Sequence, residues 1–260
     1  MPSLHLPPAI QALLDDSIVT EVTIGCSPAS VYHLVRPNGN LYLKTQPVTP
    51  HGSLLPEAQV LRWLQGQLPV PEVAHYECDE RREYLVLAEI AGVNCVAAQY
   101  ELTPEAIARI LASGLRMIHA IDIVTCPFDA RLDHRLTQAR YNVEHDLVDE
   151  DDFDDERRGI MTAREVLAAV ERERPPEDDL VFTHGDYCLP NVIVQDGALS
   201  GFVDWGRAGI ADRYQDLALA SRSIRYNLGA EYEAIFFAAY GIEQVNTAKI
   251  AYYRLLDELF

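Results

Sequence analysis

Hydrophobic and polar positions change their rhythm along this 260-residue chain, and the change falls near Gly92. Before it, residues 19–24 and 30–35 alternate apolar and polar. Leu41-Tyr42-Leu43-Lys44 follows a turn at Pro37-Asn38-Gly39-Asn40. Successive side chains of a strand point to opposite faces, so these runs predict an antiparallel meander. Residues 55–68 place Leu55, Ala58, Leu61, Trp63 and Leu64 along one helical face, with Pro69 and Pro71 beyond as terminators. Residues 84–88 read as one more short strand.

After Gly92 the period lengthens. Thr103-Pro104-Glu105 combines a capping hydroxyl with a proline at the first helical position. The stripe Ile107, Ile110, Leu111, Leu115 and Ile118 carries that helix to about residue 121. Further helices are predicted over residues 135–146, 162–172, 217–240 and 249–260. Short apolar strands are expected at 180–183, 192–195 and 199–203. The pattern therefore predicts a β-rich part over residues 1–91 and a mainly α-helical part over 92–260.

Composition narrows the partners. Hydrophobic residues make up 48% of the chain, enough for a proper core, and 21 basic against 40 acidic residues give a formal net charge of −19. Such a field disfavours nucleic acid and anionic membranes and favours cationic partners. An acidic surface also simply aids solubility, so the charge acquires meaning only from the chemistry of a site. Residues 146–156 hold eight carboxylates among eleven positions and read as an exposed loop. Five scattered cysteines, without a C-x-x-C pair, fit neither a disulfide framework nor a zinc site and suit a reducing cytoplasm. The first residues lack the basic and apolar runs of a signal peptide, and no apolar run approaches the ~20 residues of a membrane helix.

The candidate chemistry concentrates in Thr183-His184-Gly185-Asp186-Tyr187-Cys188-Leu189-Pro190-Asn191 and Phe202-Val203-Asp204-Trp205-Gly206. Phosphoryl transfer needs a group to orient the attacking hydroxyl, oxygens for Mg²⁺ and a cation on the phosphates. Asp186 and Asn191 stand five residues apart, the kinase spacing between a catalytic Asp and a metal-binding Asn. Asp204, in Asp-Trp-Gly after an apolar strand, supplies a second hard oxygen for Mg²⁺. His184 reads as a packed histidine that shapes the loop. Lys44 ends a strand from which it can reach phosphates, and Glu57, opening the next helix, can hold it. The phosphate-covering turn Gly25-Cys26-Ser27-Pro28-Ala29-Ser30 has a single glycine, unlike the G-x-G-x-x-G of protein kinases.

With H-G-D-x-x-x-x-N and F-V-D-W-G-R-x-G-x-A-D-R-Y-x-D together, the chain resembles the aminoglycoside phosphotransferases, in particular the 3′-phosphotransferases. The likeness extends from the Ser27 turn through Leu-Pro-Val-Pro at Leu68 to Pro71 and on to the terminal Tyr-Tyr-Arg-Leu-Leu-Asp-Glu-Leu-Phe. It implies an α+β, two-lobed, protein-kinase-like fold, with ATP or GTP as donor and Mg²⁺ as cofactor. It implies that Ser27 covers phosphate, Tyr42 stacks on the base, and the backbone at Ala88 and Ile90 holds adenine. It further implies substrate contacts from Arg207, Asp257, Glu258 and the terminal carboxylate of Phe260, beside catalytic Asp186. Tyr226 departs from the pattern, since a related enzyme has a substrate-binding Glu there. The implied activity is phosphorylation of the 3′-hydroxyl of kanamycin- and neomycin-type drugs, hence antibiotic resistance, by a monomer or dimer. A kinase of choline, a sugar or another small metabolite shares the same Asp186, Asn191 and Asp204 set, and a non-enzymatic scaffold would have lost it.

Overall fold

In the computed structural model the described residues are 6–22, 29–49, 52–155, 157–177 and 179–260. They form two compact units. One runs to Ala91 and takes in Ser200–Gly206; the other comprises Gly92–Leu199 and Arg207–Phe260.

The first unit opens with helix α1 (Pro8–Asp15), followed by strands β1 (Ile18–Val22), β2 (Ser30–Val35) and β3 (Leu41–Pro47). Helix α2 (Leu55–Leu64) separates these from β4 (Val73–Cys78) and β5 (Arg82–Ala88). The five strands make one antiparallel sheet in the order β1-β2-β3-β5-β4. Period-two alternation divides β3: Leu41 and Leu43 join Ile10, Leu14, Leu34, Tyr84 and Val86 in a buried core, while Tyr42 and Lys44 point to the other face. The helix expected over 55–68 stops at Leu64, because Gln65 adopts extended backbone and Gly66 the left-handed region (φ 76°) that glycine tolerates. Ser200–Gly206 lies against this unit, with Phe202 N donating to Pro69 O at 3.0 Å. A Cβ at position 201 would sit 2.6 Å from that same oxygen, so only glycine lets the segment approach.

The second unit begins with β6 (Val93–Asn94), α3 (Pro104–His119), α4 (Leu132–Glu144) and α5 (Ala163–Arg172). Strands β7 (Leu180–Thr183), β8 (Val192–Gln195), β9 (Ala198–Phe202) and β10 (Gly209–Asp212) follow, then α6 (Tyr214–Asn227), α7 (Glu233–Tyr240) and α8 (Thr247–Asp257). β9 starts in this unit and runs into the first. β6 pairs with β8, and β7 with β10, both antiparallel. Thr103 caps α3 by accepting from Ala106 N, and Thr162 and Glu165 form a reciprocal capping box on α5. α6 is buried almost throughout and is the central rod of the unit.

Several predicted boundaries are corrected. The helix read over 217–240 is two helices: Gly229 (φ 123°) breaks the chain, and a Cβ there would lie 2.6 Å from the Glu231 carboxylate. The helix read from Arg135 starts one turn earlier, at Leu132. The last helix ends at Asp257, not Phe260, and the strand read over 199–203 is Ala198–Phe202. Helix α1 and strands β4, β6 and β10 were not anticipated, their apolar runs being too short to declare a period. Residues 23 and 24, at the end of the first predicted strand, lie outside the described residues.

Candidate functional site

In the second unit, β7 delivers the chain into His184-Gly185-Asp186. Gly185 takes φ 82°, and a Cβ there would fall 2.1 Å from Arg207 O, so the turn demands glycine. One buried carboxylate holds the turn from below. Asp216 of α6 accepts from His184 N at 2.7 Å and from Gly185 N at 2.8 Å. Its Oδ2 also meets His119 Nε2 at 3.1 Å, and His119 Nδ1 lies 2.7 Å from Tyr240 Oη. A carboxylate fully out of water is tolerable only when its lone pairs are used, and here two backbone donors and a histidine use them. His184 is fully buried, and its Nδ1 accepts from Asp186 N at 3.3 Å. It shapes the loop, as its packing predicts.

Asp186 itself is half-buried, facing a nearly buried Asn191. Asn191 Nδ2 donates to Asp186 Oδ2 at 3.0 Å and to Asp186 O at 2.9 Å. The amide is thereby oriented with its nitrogen toward Asp186 and its oxygen away, leaving a hard donor next to an accepting carboxylate. Leu189 N donating to Ser223 Oγ (3.0 Å) and Tyr187 Oη donating to Leu111 O (2.8 Å) fasten the rest of the loop to α6 and α3.

The first unit assembles a second group. Lys44 of β3 donates to Glu57 Oε1 of α2 at 2.7 Å and makes a short ion pair with Asp204. Burial alone would lower the Lys44 pKa, but Glu57 and then Asp204 outweigh it, and the ammonium is held well above its usual range. Glu57 is buried, whereas the Asp204 side chain is 48% exposed. Asp204 sits at φ 63°, one of three described non-glycine residues with positive φ. A non-glycine residue held there is costly, and such strain is found where side-chain aim matters.

The remaining predicted residues have plain positions. The Tyr42 ring stacks on His33 with centroids 4.7 Å apart, and its hydroxyl pKa is raised by burial and by Glu89. Ala88, at the end of β5, donates its N–H to Glu72 O (2.9 Å), and Ile90 is half-buried beside Gly201. Ser27 lies outside the described residues.

At the C-terminus the predicted acids already have partners. Asp257 accepts from Arg207 at 3.1 Å and makes a short ion pair with Arg222. Burial pushes the Asp257 carboxyl up, but Arg222, Arg207 and Arg135 together hold it below its usual value. Glu258 accepts from Arg157 at 2.9 Å and from Asp154 N at 3.1 Å. Burial and then Asp154 push the Glu258 carboxyl up to about 7. Two guanidiniums lie over the Phe260 ring, Arg135 at 3.7 Å and Arg207 at 5.6 Å from its centroid. Arg135 is buried, and burial followed by Arg207 lowers its pKa to about 10.

Sequence reading gave no role to Asp216, the last position of the quoted motif, and missed His119, Arg135, Arg157 and Arg222. Asp216 left a trace: it is a carboxylate between Tyr214 and the apolar run 217–220. The arginines left none, because a guanidinium on a helix or in an acidic loop reads as solvated.

Asn191 and Asp204 offer one amide and one carboxylate oxygen. Each of these oxygens, one in either unit, is of the hard kind that Mg²⁺ favours. Among the described residues no helix is long and apolar enough to cross a membrane.

A model of the phosphotransferase enzyme family matches residues 18–256. The chain is 39% identical over 267 residues to an aminoglycoside 3′-phosphotransferase of Enterococcus faecalis, covering 100% of both proteins. Its fold is similar to the crystal structure of an aminoglycoside-3′-phosphotransferase of type VIII, with TM-score 0.85, 35% identity, and 97% and 98% of the two chains covered. It is also similar to an aminoglycoside phosphotransferase of Streptomyces rimosus solved with ADP and streptomycin, with TM-score 0.79, 28% identity, and 96% and 97% covered. The β-rich first part and helical second part are thus those of a kinase-like α+β fold.

Proposed function

The chain belongs to the phosphotransferase enzyme family, and from that premise we propose that it is a cytoplasmic aminoglycoside 3′-phosphotransferase that confers resistance to kanamycin- and neomycin-type drugs. It moves the γ-phosphate of ATP or GTP to the drug's 3′-hydroxyl. The observation that carries the reading is the Asp186–Asn191 pair, an open carboxylate beside an oriented amide, in a chain 39% identical to such an enzyme over its full length.

The residues divide the work by chemistry. Asp186 accepts a hydrogen bond from the acceptor hydroxyl and aligns its lone pair on the phosphorus. Asn191 fixes the Asp186 rotamer through Nδ2, and Asn191 and Asp204 would be the residues that hold Mg²⁺. Bound there, Mg²⁺ would neutralise charge on the transferring phosphates. Lys44, held by Glu57, places a fixed cation on those phosphates, and Ser27, Tyr42, Ala88 and Ile90 bind the rest of the nucleotide. Arg207, Asp257, Glu258 and Phe260 belong to the substrate side of the second unit. The overall charge of −19 favours a polycationic acceptor and disfavours nucleic acid.

Purified protein with Mg²⁺ and nucleotide should consume the donor in the presence of kanamycin and not with an analogue lacking the 3′-hydroxyl. Equal turnover of that analogue would overturn the 3′ assignment. Turnover of choline or sugars but of no aminoglycoside would move the chain to another acceptor class.

A further inference from the structure

Asp154 and Glu258 converge on a cation, and that cation is the protein's own. Arg157 Nη1 lies 2.9 Å from Glu258 Oε1 and 3.2 Å from Asp154 Oδ2. The Glu258 side chain is 2% exposed and that of Arg157 18%. Both carboxylates address one nitrogen. A guanidinium normally repays burial by offering a planar fork to a carboxylate, with two parallel N–H bonds. Here the fork is unused between the two acids, and Arg157 serves as a point charge. Two oxygens aimed at a single nitrogen are equally the setting for an ammonium group.

The attachment of Arg157 is also local. Arg157 N and Arg158 N both donate to Asp154 O, at 2.7 and 3.0 Å, so a tight turn presents the guanidinium to Glu258. Rotation about the side-chain bonds of Arg157 would vacate the position without unravelling α4 or α8. Arg158 pairs instead with the exposed Asp155, on the solvent side of the turn. The loop over 146–156 is dense in carboxylates, yet the buried acid next to it is neutralised from within.

We propose that Arg157 is a specificity-determining residue, a resident cation that one ammonium group of the substrate must displace from the Asp154–Glu258 pair. The proposal rests on the aminoglycoside reading and adds to it a selection rule. Acceptors with an ammonium able to take over both carboxylates regain the lost contact, and acceptors without one bind against the resident arginine.

Steady-state kinetics with kanamycin test the rule. Arg157→Gln should lower KM for the drug about tenfold, the scale of one charge-assisted hydrogen bond no longer contested. Arg157→Lys, which restores a cation, should return KM toward the wild-type value. A purely structural staple predicts the opposite sign, a higher KM and a lower melting temperature. A KM that is unchanged or raised in a folded Arg157→Gln protein therefore sinks the proposal while leaving the aminoglycoside reading intact. Wild-type protein that turns over no aminoglycoside sinks both.

A second measurement needs no variant. Trypsin cleavage after Arg157, followed by mass spectrometry on the wild-type protein, should speed up when kanamycin saturates the enzyme, because the displaced side chain becomes available. Cleavage that slows or does not change on saturation would overturn the displacement even if the Arg157→Gln variant failed to fold.

Discussion

The two acidic stretches of the second unit, Gly185–Asn191 and Asp257–Phe260, differ in what their carboxylates face. In the first, the burden of fixing the chain falls on a remote residue. Asp216 takes the His184 and Gly185 N–H groups, Asn191 takes the Asp186 carbonyl, and the Asp186 carboxylate keeps capacity for a further hydrogen bond. In the second, every acidic side chain is matched to a guanidinium: Asp257 to Arg207 and Arg222, Glu258 to Arg157. A carboxylate whose lone pairs the fold leaves uncommitted is open to a ligand at once, whereas one whose lone pairs are spent must first give up a partner. Residue type is common to both places, and the difference is made by the neighbours.

Removing one acid from each stretch is the sharpest way to break that contrast. Asp186→Ala should reduce turnover by 10²–10⁴-fold, as loss of a positioned acid–base group does. It should also lower the unfolding free energy by less than about 1 kcal/mol, because only the Asn191 contact and no core packing goes with it. Asp257→Ala should add a loss of stability to its loss of substrate binding. It leaves Arg222 and Arg207, whose side chains are 32% and 35% exposed, without their carboxylate beside buried Arg135, and because water screens the two outer guanidiniums the expected cost is about 1–3 kcal/mol in urea unfolding. A stable Asp257→Ala protein would mean that its arginines find water, and the distinction between open and spent carboxylates would lose its energetic basis.

The contrast also explains what was readable beforehand. His184-Gly185-Asp186 and Asn191 lie in one short segment whose spacing is set by the loop's own geometry, so sequence distance reports spatial distance. Lys44 and Glu57 are close because a strand and the helix after it bring neighbours in sequence together, and their contact is 2.7 Å. Nothing of that kind ties Asp216 to His119 across 97 residues, or Arg157 to Glu258 across 101. Those pairs exist only once α3, α6 and α8 have packed, and an apolar periodicity specifies which face of a helix is buried without naming the polar group that will meet it. The splitting of residues 217–240 has the same root. The polar residues Asn227, Glu231 and Glu233 do not by themselves end a helix, and it is the backbone of Gly229 (φ 123°) that separates α6 from α7.

The smallest effect separates two adjacent residues. Burial acts on both Asp257 and Glu258, but three arginines pull Asp257 below its usual 3.8, while Glu258 rises from 4.5 to about 7 under burial and Asp154, even with Arg157 beside it. The signs follow from proton binding. Above pH 4.5 an unfolded chain has released the Glu258 proton that the folded chain still holds, so this residue costs increasing stability as pH climbs to about 7 and no more beyond. Asp257 stabilises above its unfolded value and loses that contribution as pH falls through the lower, folded one. Melting curves of wild-type and Glu258→Gln protein between pH 4.5 and 8 isolate the first effect. The variant has no proton to retain, so its melting temperature should gain steadily on the wild type up to about pH 7 and run parallel thereafter. A difference that stays constant with pH would show that Arg157 keeps Glu258 ionised in the folded chain, and both acids would then be held alike.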